Sequence, residues 1–309
     1  EIPFTAELYY LVRQGGKPFS RFSLRHLQAF GPEMAAQAAA LRKPNPQGKK
    51  IFFFATLHYW IEHAAVLSTA LAAQGHTVTL GYLPYGDWIN PINRFDLRRQ
   101  NVYSRRILSA LSPLVETVSF LSQRPNIRPL PEAVEEIVRQ ISNYDAQYTQ
   151  QVEEVDPESE VYQLRLERNR AVAAVAYHYL RANPPQQVIV PNGTIQELAV
   201  VYRIARHLKI PTVTYEFGDQ RQRIWLAQNS EVMRQETDAL WQARKDLPLN
   251  EEQLERMKSL FMARQRATLW ENFARQWQGT PAQGGGKIRA ELKLDDRPVV
   301  LLATNVLGD

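Results

Sequence analysis

Two stretches of this sequence repeat the same order: an apolar strand-like run, a helical stretch, then a second strand-like run. The first opens on Ile51-Phe52-Phe53-Phe54-Ala55, an unbroken apolar run. An unbroken run of β-branched and aromatic residues suits a strand covered on both faces. From Thr56 to Gln74, Leu57, Ile61, Ala64, Ala65, Leu67, Ala70 and Leu71 recur near helical spacing. Gly75 stands where a left-handed C-cap is expected, and the strand formers of His76–Leu83 follow. The second unit runs from Gln187-Val188-Ile189-Val190 through an amphipathic helix to Ile210–Tyr215. Parallel neighbours need such crossovers, so the expected fold is α/β: a doubly wound, Rossmann-like parallel sheet with helical additions.

Around these units the chain reads mainly as helix. Residues 1–48 form a helical lead-in broken by Lys43-Pro44-Asn45-Pro46-Gln47-Gly48. Val115–Leu121 reads as a third strand, Pro131 as the start of a helix, and Asp156-Pro157 as the N-cap and first turn of a long one. Thr194 and Glu197 have capping-box spacing, as do Asn250 and Gln253. Residues 227–278 read as helical, 279–296 as a linker opening on Gly279–Gly286, and Arg297–Ala303 as one more buried strand. The expected organisation is a lead-in (1–48), a Rossmann-like domain (49–278), a linker (279–296), and the first strand and loop of a second domain (297–309).

Composition removes several chemistries. With no cysteine, there is no thiolate nucleophile, disulfide or Cys-based zinc site, which accords with a cytoplasmic setting. No apolar run approaches a membrane span. The net charge is +5, and the first 50 residues account for it: Arg13, Lys17, Arg21, Arg25, Arg42, Lys43, Lys49 and Lys50 face only Glu1, Glu7 and Glu33. Such a segment is either a solvated helical surface or a contact for an anionic partner, including the inner face of a membrane. No nucleic-acid module is present, so nucleic acid is not an expected partner. Neither a phosphate-binding P-loop nor a dinucleotide fingerprint occurs. His58 and His63 would point about 140° apart on a helix, so they are poor co-ligands and no metal is expected.

Ligands of doubly wound sheets bind beyond the carboxyl ends of the strands. Three loops carry polar groups there: Thr56, His58, Tyr59, Trp60 and Glu62 after the first strand; Asn192, Gly193 and Thr194 after the second unit's first strand; and Glu216, Gly218, Asp219 and Arg221 after its last. His58 is the general-base candidate, because an imidazole exchanges protons near neutrality. Glu216 and Asp219 can orient that base or bind sugar hydroxyls. Asn192-Gly193-Thr194 offers backbone N–H groups to an anion or hydroxyl, or is plain turn-and-cap chemistry. Arg221 and Arg223 can hold a phosphate or form a solvated pair. Trp60, Tyr85 and Trp88 can stack on sugar rings or pack in the core.

The stretches QGHTV (74–78), VIVPNGTIQELAVVYRIARHLKIPTVTYEFGD (188–219) and RPVVLLATNVLGD (297–309) resemble the GT-B glycosyltransferases of bacterial capsule and surface-polysaccharide synthesis. The resemblance implies two Rossmann-like domains facing a cleft. The first would bind a saccharide or lipid-linked acceptor, and the second, opening at the last strand, a nucleotide-sugar donor. It implies that Asn305 and Asp309 belong to the donor side, whose remainder would follow Asp309. His58 matches the place where this superfamily often keeps a base. No cofactor is implied. The alternatives are a GT-B-shaped sugar-nucleotide epimerase and a non-catalytic binding or assembly module.

Overall fold

The computed structural model describes residues 4–15, 17, 19, 21–86, 90–91, 93–123, 129–218, 223–268 and 285–300. The chain divides into two compact units: residues 1–215 with 226–234, and residues 216–225 with 235–305.

The larger unit is built on the sheet that the two repeated stretches predict. Strands β1 (Lys50–Thr56), β2 (Thr77–Leu83), β3 (Val115–Ser119), β4 (Gln187–Pro191), β5 (Thr212–Phe217) and β6 (Ile224–Gln228) lie in the order β3-β2-β1-β4-β5-β6. All described pairings from β3 across to β5 are parallel. β1 and β2 are buried from their second residue onward, as strands covered on both faces are. The direction of winding reverses between β1 and β4, so the fold is α/β, doubly wound and Rossmann-like.

Helices follow from the crossover rule. α3 (His58–Ala73) links β1 to β2, and Gly75 at φ 86° closes it in the left-handed form. α7 (Gln196–His207) links β4 to β5 in the opposite direction, so right-handed connections place the two on opposite faces of the sheet. α5 (Glu132–Gln150) and α6 (Glu160–Ala182) pack with α7. Tyr179 of α6 reaches Phe52 of β1 with ring centroids 5.4 Å apart. α4 (Arg94–Leu108) joins α3 in the layer on the other face, and the lead-in folds onto it as α1 (Thr5–Val12) and α2 (Arg25–Leu41). Tyr10, Phe22, Leu24 and Leu27 of the lead-in are part of the main core.

Several boundaries differ from the sequence reading, each for a local reason. α6 begins at Glu160, because Ser159 rather than Asp156 caps it; the Asp156 carboxylate instead accepts the Glu158 N–H. β6 is a strand the sequence reading did not assign, and its last two residues fall in the stretch read as helix (227–278); Asn229 N–H donates to the Thr212 carbonyl beside it. Residues 297–300 are not in a strand, and 301–309, with Asn305 and Asp309, lie outside the described residues.

The smaller unit holds α8 (Asp238–Arg244) and α9 (Glu251–Gln265). α9 starts with the expected capping box: the Asn250 side chain accepts the Gln253 N–H at 2.8 Å, and the Gln253 side chain accepts the Asn250 N–H at 3.0 Å.

Candidate functional site

Ligands of open α/β sheets bind in the crevice at the carboxyl ends of the strands where the winding reverses, which here are β1 and β4. The β1–β4 register pairs Ile51 with Gln187 and Phe53 with Ile189. β1 runs on to Thr56 and β4 to Pro191, where Asn192 opens the next loop. Because the two strands are parallel neighbours, the loops that leave them emerge at the same edge of the sheet.

The β1–α3 loop is tight and strained. Leu57 holds φ 62° and ψ 147°, a conformation that L-residues rarely occupy and that costs on the order of 1–3 kcal/mol. Its carbonyl accepts the Ile61 N–H at 3.0 Å, and no side chain caps α3. The first turn of α3 therefore presents backbone N–H groups that the helix itself cannot satisfy. Thr56 is fully buried, and its hydroxyl has no hydrogen-bond partner among the described residues. His58 is half-buried at the head of α3, with its ring edge-on to Phe22 at 6.4 Å and to Tyr59 at 5.3 Å.

Two of the other three residues expected from this loop, Trp60 and Glu62, have structural partners. Trp60 is buried, edge-to-face with Tyr215 at 5.6 Å. That is core packing; Tyr59 is the exposed aromatic of the loop. Glu62 closes the start of α2: its Oε1 accepts the N–H groups of His26 (2.9 Å) and Leu27 (3.1 Å), and its Oε2 meets His26 Nδ1 at 3.1 Å. α2 has no acidic residue in its first turn, so a carboxylate from α3 does that work.

The β4–α7 loop is tighter still, with left-handed φ at Asn192 (56°), Gly193 (82°) and Gln196 (58°). At Gly193 a Cβ would stand 2.5 Å from Cγ2 of Thr214 on β5, so only glycine lets the loop lie this close. Asn192 Oδ1 accepts the Thr194 N–H at 2.9 Å, and Asn192 N–H donates to the Tyr215 carbonyl at 2.7 Å. The expected Thr194–Glu197 capping box does not form. α7 begins at Gln196 without a side-chain cap, and the buried Thr194 hydroxyl oxygen has no partner among the described residues.

Glu197 has another task, in a cluster of buried charge beneath this loop. Its Oε1 accepts from Nε of Arg168 at 2.8 Å, both side chains being fully enclosed. The Arg168 guanidinium lies 4.1 Å from the Tyr85 ring centre, a cation–π contact, and burial pushes the Tyr85 phenol well above its ordinary range. Asp145 of α5 accepts the Gln196 N–H at 2.8 Å and an Asn169 amide hydrogen at 3.2 Å. Burial pushes its carboxyl up to about 7, against the pull of those bonds and of Arg165. Asp145, Tyr148, Thr149, Arg165, Ile195 and Gln196 line a small pocket at the start of α7.

Of the third loop, Glu216 is half-buried and its own carboxylate accepts the Phe217 N–H at 3.0 Å. It belongs to the smaller unit. Asp219 and Arg221 lie outside the described residues, as does Trp88. No cluster of metal-ligating side chains occurs among the described residues, and no described helix is long and apolar enough to cross a membrane.

The buried charges escaped the sequence reading, although a signal was there. On α6 the enclosed residues Arg165, Arg168, Asn169, Val172, Ala173, Ala176 and Leu180 share one helical phase. Arginine at a core phase announces a buried partner.

No family model matches the chain, and no curated protein does. Two solved structures from Thermus thermophilus, a pantothenate synthetase and a pantoate-beta-alanine (pantothenate synthetase), are similar to it at 16% identity and a TM-score of 0.31. Each comparison covers 61% of this chain and 61% of the other, so the chain spans about three-fifths of their length. The strand order, rather than that likeness, defines the fold here.

Proposed function

We propose that the larger unit is the acceptor-side half of a GT-B glycosyltransferase of bacterial surface-polysaccharide synthesis. On this reading it works at the cytoplasmic side of the membrane on a saccharide or lipid-linked acceptor. The observation that supports it best is the crevice at the winding reversal. There an imidazole at the head of an uncapped helix and a strained Leu57 follow β1, and an Asn-Gly loop follows its sheet neighbour β4. In that role His58 accepts the proton of the acceptor hydroxyl. The freed oxygen pair forms the new bond to the anomeric carbon, and the nucleoside diphosphate leaves with the pair of the broken bond. The Asn192–Thr194 loop and the first turn of α3 offer N–H groups to hydroxyl or phosphoryl oxygens. The donor is a nucleotide-sugar, held by the second domain that the resemblance implies.

Titration of the protein encoded by the whole gene with UDP- and GDP-sugars, followed by product analysis with and without acceptor, tests this. Binding and transfer are expected. His58→Ala should lower kcat by about 10²–10⁴-fold while the circular-dichroism spectrum is unchanged. No binding of any sugar nucleotide would sink the reading. A changed sugar without added acceptor would indicate an epimerase, and full activity of His58→Ala and Glu216→Ala would leave the crevice a binding or assembly surface.

A further inference from the structure

α1 is apolar on the side that packs and on the side that does not. Ala6 and Tyr10 are fully buried against the larger unit. On the opposite face, Phe4 (78% exposed), Leu8 (62%), Leu11 (58%) and Val12 (70%) form one stripe, spaced four, seven and eight residues from Phe4. A helix that is apolar all round is ordinarily enclosed, and a stripe of this size on a surface marks a contact.

Charge identifies the contact. Arg13 and Lys17, both exposed, follow the stripe, with Arg21 and Arg25 beyond them. The only acid on α1, Glu7, is committed to Arg98 of α4, whose Nε donates to it at 2.9 Å. The segment therefore meets its partner with cations beside an apolar stripe, the pattern of a helix lying in the interface of an anionic bilayer.

The position of α1 gives that contact a consequence. Tyr10 of α1 touches Tyr103 at 6.4 Å, Tyr103 touches Phe22 at 6.3 Å, and Phe22 touches the His58 ring at 6.4 Å. The helix that carries the stripe is thus joined by a packed aromatic chain to the His58 ring.

We propose that the outer face of α1 seats on an anionic lipid bilayer and holds the crevice next to it. The membrane contact stands without the glycosyltransferase reading; only the inference that the acceptor is lipid-borne rests on it. Co-sedimentation of the full chain with phosphatidylglycerol/phosphatidylcholine vesicles, and with phosphatidylcholine alone, tests the contact. Binding is expected to the anionic vesicles only and to weaken as salt rises. Leu8→Glu with Leu11→Glu should weaken it about tenfold or more, since both side chains are exposed in the free protein and buried in the interface. Arg13→Glu with Lys17→Glu, which leaves the stripe intact, should also weaken it. Absence of binding to anionic vesicles overturns the proposal, as does equal binding by both variants. So does a stripe-dependent dimer in gel filtration without vesicle binding, which would assign the stripe to a second copy. Vesicle binding without sugar transfer would leave the contact standing and remove the glycosyltransferase reading.

Discussion

At the residue scale, Asp145 shows how a side chain far along the chain sets the geometry of a loop. It is separated by 51 residues from Gln196, whose N–H it accepts, and that bond fixes where α7 begins. The cost is a buried carboxyl whose ionisation is disfavoured, pushed up to about 7 from an ordinary 3.8. The sign of its effect follows by linkage. Between those two values the unfolded chain has lost the proton while the folded chain keeps it, so rising pH favours the unfolded state. The contribution is fully present below the ordinary value and is lost as pH rises through about 7. Asp145→Asn keeps an acceptor for Gln196 but does not titrate. Urea unfolding from pH 4 to 8 should therefore show wild type losing stability relative to Asp145→Asn, by roughly 1–4 kcal/mol across the range. Parallel pH curves for the two proteins would show that Asp145 titrates alike folded and unfolded.

At the scale of elements, the pairing of Arg168 on α6 with Glu197 on α7 is the cross-link most exposed to a single change. Both groups are fully enclosed, 2.8 Å apart, and lie behind the loop that carries Asn192 and Gly193. Glu197→Leu leaves a guanidinium in the core without its counter-charge and should cost about 3–5 kcal/mol. Arg168→Met combined with Glu197→Leu should recover most of that loss, because two apolar side chains leave no unpaired charge. A double variant as unstable as the single one would place the cost in packing instead of charge. The same pair shows what the sequence could and could not reveal. β1, α3, β2, β4, α7 and β5 are legible because apolar periodicity and Gly75 act locally, within one element. The Thr194–Glu197 capping box was a sound local expectation that a distant residue overrode: Arg168, a buried cation, claims the carboxylate, and α7 starts two residues after Thr194. Glu62 tells a similar story, since α2 supplies no acid for its own first turn and takes one from α3. His58, Asn192 and Gly193 could be placed at the sheet edge from sequence because strand ends are predictable. The strain at Leu57 and the cluster beneath α7 could not, because they depend on which helices share a face.

At the scale of the whole molecule, the question is which parts need one another to fold. Charge sets the first 48 residues apart as a basic lead-in, yet Tyr10, Phe22, Leu24 and Leu27 are enclosed in the main core. Tyr103 of α4 provides the link on the other side, its hydroxyl oxygen accepting the Leu24 N–H at 3.0 Å. Removing the lead-in would expose their partners on α3 and α4, at about 1.5–3 kcal/mol for each large side chain lost. Four such losses, about 6–12 kcal/mol, are as large as the usual stability of about 5–15 kcal/mol for a folded domain. α8 and α9 bury no residue at all. A chain of residues 49–309 should therefore show no cooperative thermal transition, whereas one of residues 1–234 should melt cooperatively with the helix and strand content of the larger unit. Circular dichroism during a thermal ramp distinguishes them. A cooperative melt for 49–309 would mean that the sheet and its two helical layers form a core without the lead-in, and that the aromatic chain from Tyr10 to His58 is an ornament to the crevice instead of its wall.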